Sequence, residues 1–162
     1  SKSLFPGLRL GYLVGPAPFI REARALRASV LRHPPGHIQR TTTYFLSRGH
    51  YDALIRRMGK AYFDRRRVMD NAIADHGLTV AGAGSFGGSS FWMRAPDQVD
   101  TTKLAATLAG SGVLIEPGQP FFAANDPPKN YYRLASSSIP STRIPDGIAR
   151  IAAAIKVATG HT

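Results

Sequence analysis

From Tyr51 to about His76 the residues Leu54, Met58, Tyr62, Met69 and Ile73 recur at near-helical intervals, with arginines filling the positions between them. One long amphipathic helix is expected there, and Gly77 is its natural stop. A helix of that length suits a bridge between two lobes, so it sets the organisation of everything around it. Before it the pattern is mostly helical. Pro18 opens a helix running to about Arg32, with Ile20, Ala23, Leu26 and Val30 at helical spacing. The break Pro34-Pro35-Gly36 separates it from a second helix, about His37 to Arg48, which Gly49 closes. Ahead of both, Leu8, Leu10, Tyr12, Leu13 and Val14 lie between Pro6-Gly7 and Gly15-Pro16, which predicts a strand bounded by turns.

After Gly77 the texture changes. Leu78 to Ala81 and Ser89 to Met93 read as strands flanking a turn rich in glycine (Gly82, Gly84, Gly87, Gly88). Asp100 is placed to cap a helix from about Thr101 to Ala109. Val113-Leu114-Ile115 and Tyr131 to Ala135 read as further short strands. The last helix carries Ile144, Ile148, Ile151 and Ile155 on one stripe. Strands mixed with crossing helices make this part an α/β lobe.

Composition narrows the function classes. The 162 residues are 43% hydrophobic and 19% charged, the balance of a soluble globular chain, and contain no run of about 18 apolar residues. No membrane partner and no export leader are expected. Cysteine is absent, which removes disulfides and thiolate metal sites. The histidines, His33, His37, His50, His76 and His161, show no metal-ligand spacing, so no metal is expected. The net charge is +11, from 21 Lys and Arg against 10 Asp and Glu, and much of the excess is Arg56, Arg57, Lys60, Arg65, Arg66 and Arg67 around the long helix. A solvated face, or one that meets acidic protein, accounts for that cluster better than direct DNA contact, because no reading-helix motif accompanies it.

The chemistry concentrates at the start. A lysine amine is a poor nucleophile while protonated, but in a pocket that disfavours its charge it forms a Schiff base with an aldehyde. Lys2 stands between Ser1 and Ser3, and Arg9 follows across the Pro6-Gly7 turn, which suits an amine and a phosphate-binding guanidinium in one site. Taken alone, the stretch also fits a surface lysine before a turn.

Ser1-Lys2-Ser3-Leu4-Phe5-Pro6-Gly7-Leu8-Arg9-Leu10-Gly11 resembles the cofactor-lysine segment of the fold-type I aminotransferases that use pyridoxal phosphate. Asn130-Tyr131-Tyr132-Arg133-Leu134-Ala135 resembles the segment carrying the arginine that grips the substrate's α-carboxylate, a task suited to a planar guanidinium with parallel donors. Between them, Arg32-His33-Pro34-Pro35, Gly49-His50, Arg56-Arg57-Met58, Tyr62 and Arg65-Arg66-Arg67 are similar to the aminotransferase-like domain of MocR-type regulators in the GntR superfamily. Gly118-Gln119-Pro120-Phe121-Phe122 resembles the loop that precedes the carboxylate arginine in those proteins.

The resemblance implies an α/β fold made of the end of the aminotransferase large domain plus the small C-terminal α/β domain, with a short, mainly antiparallel sheet packed by helices. It divides the chain into 1–48, a large-domain remnant; 49–76, the connecting helix; and 77–162, the small domain. It implies pyridoxal 5'-phosphate in an intact parent, with Lys2 as Schiff-base former and proton shuttle, Ser1 and Arg9 as phosphate ligands, and Arg133 as carboxylate clamp. Tyr12 is a weaker candidate, better read as a packed strand aromatic, and Ser3 as satisfying a turn. In the family the aspartate facing the pyridine nitrogen, the stacked aromatic ring and the glycine-rich phosphate loop precede the lysine, so the isolated chain is expected to hold the cofactor weakly and to lack transaminase activity.

Three functions follow from the resemblance. One is a cytoplasmic ligand-sensing regulator, a homodimer that binds an amino acid or amine and reaches DNA only through an N-terminal domain outside this chain. The second is a free-standing aminotransferase that moves amino groups between an amino acid and a 2-oxo acid. The third is an interaction or dimerisation lobe. The arginine run and the Arg32 to Pro35 break favour the regulator, by analogy with the family.

Overall fold

A computed structural model of the chain describes residues 6–82, 88 and 90–160, and these divide into two compact units, 1–59 and 60–162. The predicted site residues Ser1 and Lys2, the turn residue Ser3 and part of the glycine-rich turn lie outside the described residues.

The first unit holds a 3-10 turn at Pro6–Leu8 and helices α1 (Ala17–Val30) and α2 (Gly36–Ser47). Pro at the start of α1 meets the rule that its missing N–H costs nothing in the first turn. The helix α3 (His50–Asp75) begins here after Gly49, whose φ of +70° is the left-handed conformation that glycine adopts without strain. The His50 ring lies 5.6 Å from that of Phe45 and 6.4 Å from that of Tyr44. Neither α1 nor α2 buries a residue among those described.

The strand expected from Leu8 to Val14 does not form. The backbone is irregular from Arg9 to Pro16, and Tyr12, expected as a packed strand aromatic, is 93% exposed. A strand requires a neighbouring backbone to satisfy its N–H and C=O groups, and the first unit has no other described strand to supply one.

In the second unit the C-terminal part of α3 ends at Gly77 (φ +63°), where Leu78 N donates to Ile73 O and Gly77 N to Ala74 O, both at 3.0 Å. A four-stranded antiparallel sheet follows, in the order β1-β2-β4-β3: β1 (Thr79–Val80), β2 (Ser90–Arg94), β3 (Glu116–Pro117) and β4 (Tyr131–Ala135). The helices α4 (Thr101–Gly110) and α5 (Ile144–Ala158) complete it. Period-two alternation turns Phe91 and Met93 of β2, with Tyr132 and Leu134 of β4, into the core. They meet Met69 and Ile73 of α3, Leu104 and Leu108 of α4, and the Ile144, Ile148, Ile151 and Ile155 stripe of α5, all buried.

Polar anchors fix the start of β4. The Thr101 hydroxyl is shared between the carbonyls of Lys129 (2.9 Å) and Tyr131 (2.8 Å). The buried Asn130 amide donates to Ala95 O at 2.9 Å and to Asp97 Oδ1 at 3.0 Å. Asp100 caps α4 as expected, accepting from the N–H groups of Thr102 and Lys103. The strand expected at Val113 to Ile115 is displaced to Glu116–Pro117. Val113 N is engaged by Leu108 O at the end of α4, so this apolar run docks a loop by burying Ile115 rather than pairing in the sheet.

Candidate carboxylate site on β4

The alternation that buries Tyr132 and Leu134 sends Tyr131 and Arg133 to the opposite face of the sheet. Register then sets their neighbours. Arg133 pairs across to Trp92 of β2 on one side and to Glu116 of β3 on the other, so a guanidinium, an indole and a carboxylate share one row.

Arg133 Nη2 lies 2.7 Å from Glu116 Oε1 and 2.6 Å from Oε2, with the two side chains 38% and 52% exposed. The hydrogen bond with Glu116, foremost, and then its charge hold the Arg133 pKa above the ordinary arginine value, while desolvation works the other way. Arg133 Nε is buried and has no hydrogen-bond partner among the described residues.

The surround is aromatic. The Trp92 and Tyr131 rings stack with centroids 5.7 Å apart, Phe121 meets Trp92 edge-on at 5.5 Å, and Phe122 meets Tyr131 edge-on at 5.5 Å. The Phe121 ring centroid is 5.3 Å from Arg133 Cζ, a cation–π distance. Gly118 brings this loop in. Its N–H donates to Tyr131 O at 2.7 Å, and a Cβ there would fall 2.5 Å from that oxygen and 2.8 Å from Trp92 Cη2. The Gly118 to Phe122 segment picked out in the sequence thus packs beside Arg133.

Arg133 thus lies against an aromatic ring with its guanidinium engaged by a carboxylate of the same chain. Sequence reasoning singled out Arg133 and the Gly118 to Phe122 loop, which lie side by side, but not Glu116, Trp92 and Tyr131 as their neighbours. Their proximity is a matter of strand register, for which the sequence carries no local signal. Arg9 belongs to the first unit; it is exposed, at φ +47°, and forms no ion pair among the described residues.

A groove of about 860 Å³ in the second unit is lined in part by His76, Arg94, Asp97 and Lys156 and includes none of the predicted site residues. Among the described residues no group of three or more His, Asp or Glu could hold a metal ion, and no helix is long and apolar enough to cross a membrane.

Comparison with known proteins places these features. No protein-family model matches the chain. The HTH-type transcriptional regulator TauR of Rhodobacter capsulatus is 64% identical over 156 residues, covering 96% of this chain and 32% of the regulator. Aromatic-amino-acid aminotransferase 1 of Thermococcus litoralis is 31% identical over 157 residues, covering 96% of this chain and 37% of the enzyme. Among solved structures, kynurenine aminotransferase of Pyrococcus horikoshii, in complex with PMP, KYN as substrates and KYA as products, superposes with a TM-score of 0.87 at 29% identity, covering 97% of this chain and 39% of that one. The chain thus spans between about a third and two fifths of the length of these relatives.

Proposed function

We propose, because this chain belongs to the pyridoxal-phosphate aminotransferase-like proteins of fold type I, that it forms part of the effector-sensing domain of a MocR-type transcriptional regulator. The observation that carries the regulator reading is the extent of its likeness to a helix-turn-helix regulator across nearly the whole chain. In this reading segment 1–48 belongs to the large domain, helix 49–76 connects, and 77–162 is the small domain. The protein is cytoplasmic and dimeric, and it reaches DNA through a domain outside this chain.

Pyridoxal phosphate, when bound, supplies an electrophilic aldehyde and an electron sink. The residues of this chain bind and orient. Lys2 carries the amine that bonds the cofactor and moves protons at its Nζ, while Ser1 and Arg9 hold the phosphate. The exposure of Arg9 and its lack of an ion pair among the described residues suit that role. Arg133 grips the carboxylate of an amino acid effector, and the Trp92, Tyr131 and Phe121 rings limit water around it. Occupation of Arg133 then biases the arrangement of the domains, and with it the attached DNA-binding module.

The test is operator binding by the intact gene product with and without candidate amino acids. R133Q is expected to keep DNA binding and lose the effector response. If R133Q responds as the wild type does, the carboxylate role is wrong. The likeness to aminotransferases of known enzymatic activity supports a second reading, a free-standing enzyme using the same residues. Turnover of an amino acid and a 2-oxo acid by the intact gene product, with no DNA binding, would establish that reading instead.

A further inference from the structure

We infer that Glu116 is an internal competitor for Arg133 and determines how strongly the site takes a carboxylate. The inference rests on the carboxylate-clamp reading of Arg133. Three observations carry it. Both oxygens of Glu116 lie within 2.7 Å of one nitrogen, Arg133 Nη2, so the anion a ligand would bring is already represented. Arg133 Nε is buried with no hydrogen-bond partner among the described residues, so the guanidinium in this pose forgoes a donor that a reoriented side chain regains. The pair is also half open to solvent, at 38% and 52% exposure, which places it among ion pairs of small net strength that an incoming ligand can displace.

A ligand carboxylate therefore binds by exchange. Glu116 leaves Nη2, the ligand oxygens take the guanidinium, and Glu116 turns to solvent or to a cationic group of the ligand. The consequence is selectivity. Simple monocarboxylates are held back by the competition, whereas a ligand that also carries an amine can recover the freed Glu116 charge.

Trp92 reports on this site directly. It is the single tryptophan of the chain and touches Phe121 and Tyr131 beside Arg133. The experiment titrates 3-phenylpropionate against Trp92 fluorescence at constant ionic strength in the wild type, E116Q, E116D and R133Q. E116Q keeps the side-chain volume at an exposed position. E116D keeps the charge but draws it back by one methylene. Release of the competitor is expected to tighten binding at least about threefold in both Glu116 variants, the size a partly exposed pair allows, and R133Q is expected to abolish the response.

If E116Q tightens binding less than threefold while R133Q still abolishes it, the competition is overturned and the clamp reading stands. Tightening in E116Q with E116D behaving as the wild type overturns it too, in favour of a general charge effect. A response that survives R133Q, or no response in E116Q, overturns the competition and the clamp together.

Discussion

At Gly118 an added methyl group would sit 2.5 Å from a backbone oxygen of β4 and 2.8 Å from the Trp92 ring, and the backbone side of that contact has no soft partner to give way. G118A is therefore expected to cost about 1–3 kcal/mol by overpacking and to loosen the loop that carries Phe121. Denaturant unfolding followed through Trp92 fluorescence measures both. Tyr132 offers a second test. Its side chain is fully buried, and desolvation raises its pKa above the ordinary value near 10. Because the folded state holds this proton more tightly than the unfolded chain, the contribution is complete below pH 10 and declines as pH rises beyond it. Tyrosinate absorbance should show one of the six tyrosines ionising only as the protein unfolds; normal titration of all six in the folded state would refute this. Arg133 is singled out in the sequence by the resemblance of its segment, Asn130 to Ala135, and not by any local chemistry of its own. Glu116 could not be, because nothing near it in the chain states that register will set it against Arg133.

Every helix expected from the sequence forms, whereas the strands divide: β1, β2 and β4 form where Leu78 to Ala81, Ser89 to Met93 and Tyr131 to Ala135 are expected, and two other expected strands do not. The four isoleucines of α5 repeat at the helical period and all end up buried, and Asp100 both precedes and caps α4. A helix closes its hydrogen bonds within a local segment, so spacing and caps suffice to locate it. A strand depends on a distant partner, which is why Leu8 to Val14 has strand composition without forming one, and why β3 begins after Ile115 rather than at Val113. Two substitutions test these elements. D100A is expected to lower stability by about 1 kcal/mol through loss of the α4 cap. I148A should lower it by about 2–5 kcal/mol, because Ile148 is 2% exposed within the core cluster. Thermal or urea unfolding distinguishes the two sizes, and equal effects would contradict the burial of Ile148 in the core cluster.

Across the whole molecule stability is unevenly distributed. The hydrophobic core cluster runs from Met69 onward, entirely in the second unit, while α1 and α2 bury nothing among the described residues and leave Leu26, Val30 and Tyr44 more than half exposed. Helices of 14 and 12 residues are marginal without tertiary burial. Amide exchange of the isolated chain should accordingly be fast in α1 and α2 and slow in β4 and α5, and uniform protection would contradict this. The change from helical to strand texture near Gly77 was evident in the sequence, as was the likeness to aminotransferases. The division near Gly59, inside an unbroken helix, was not, since no proline or change in periodicity marks it. Whether the opening segment bears the cofactor lysine is measured by adding pyridoxal phosphate to the intact gene product, reducing with borohydride and mapping the labelled peptide. The label is expected on Lys2; a label spread over Lys60, Lys103, Lys129 and Lys156 with Lys2 unmodified would contradict that role.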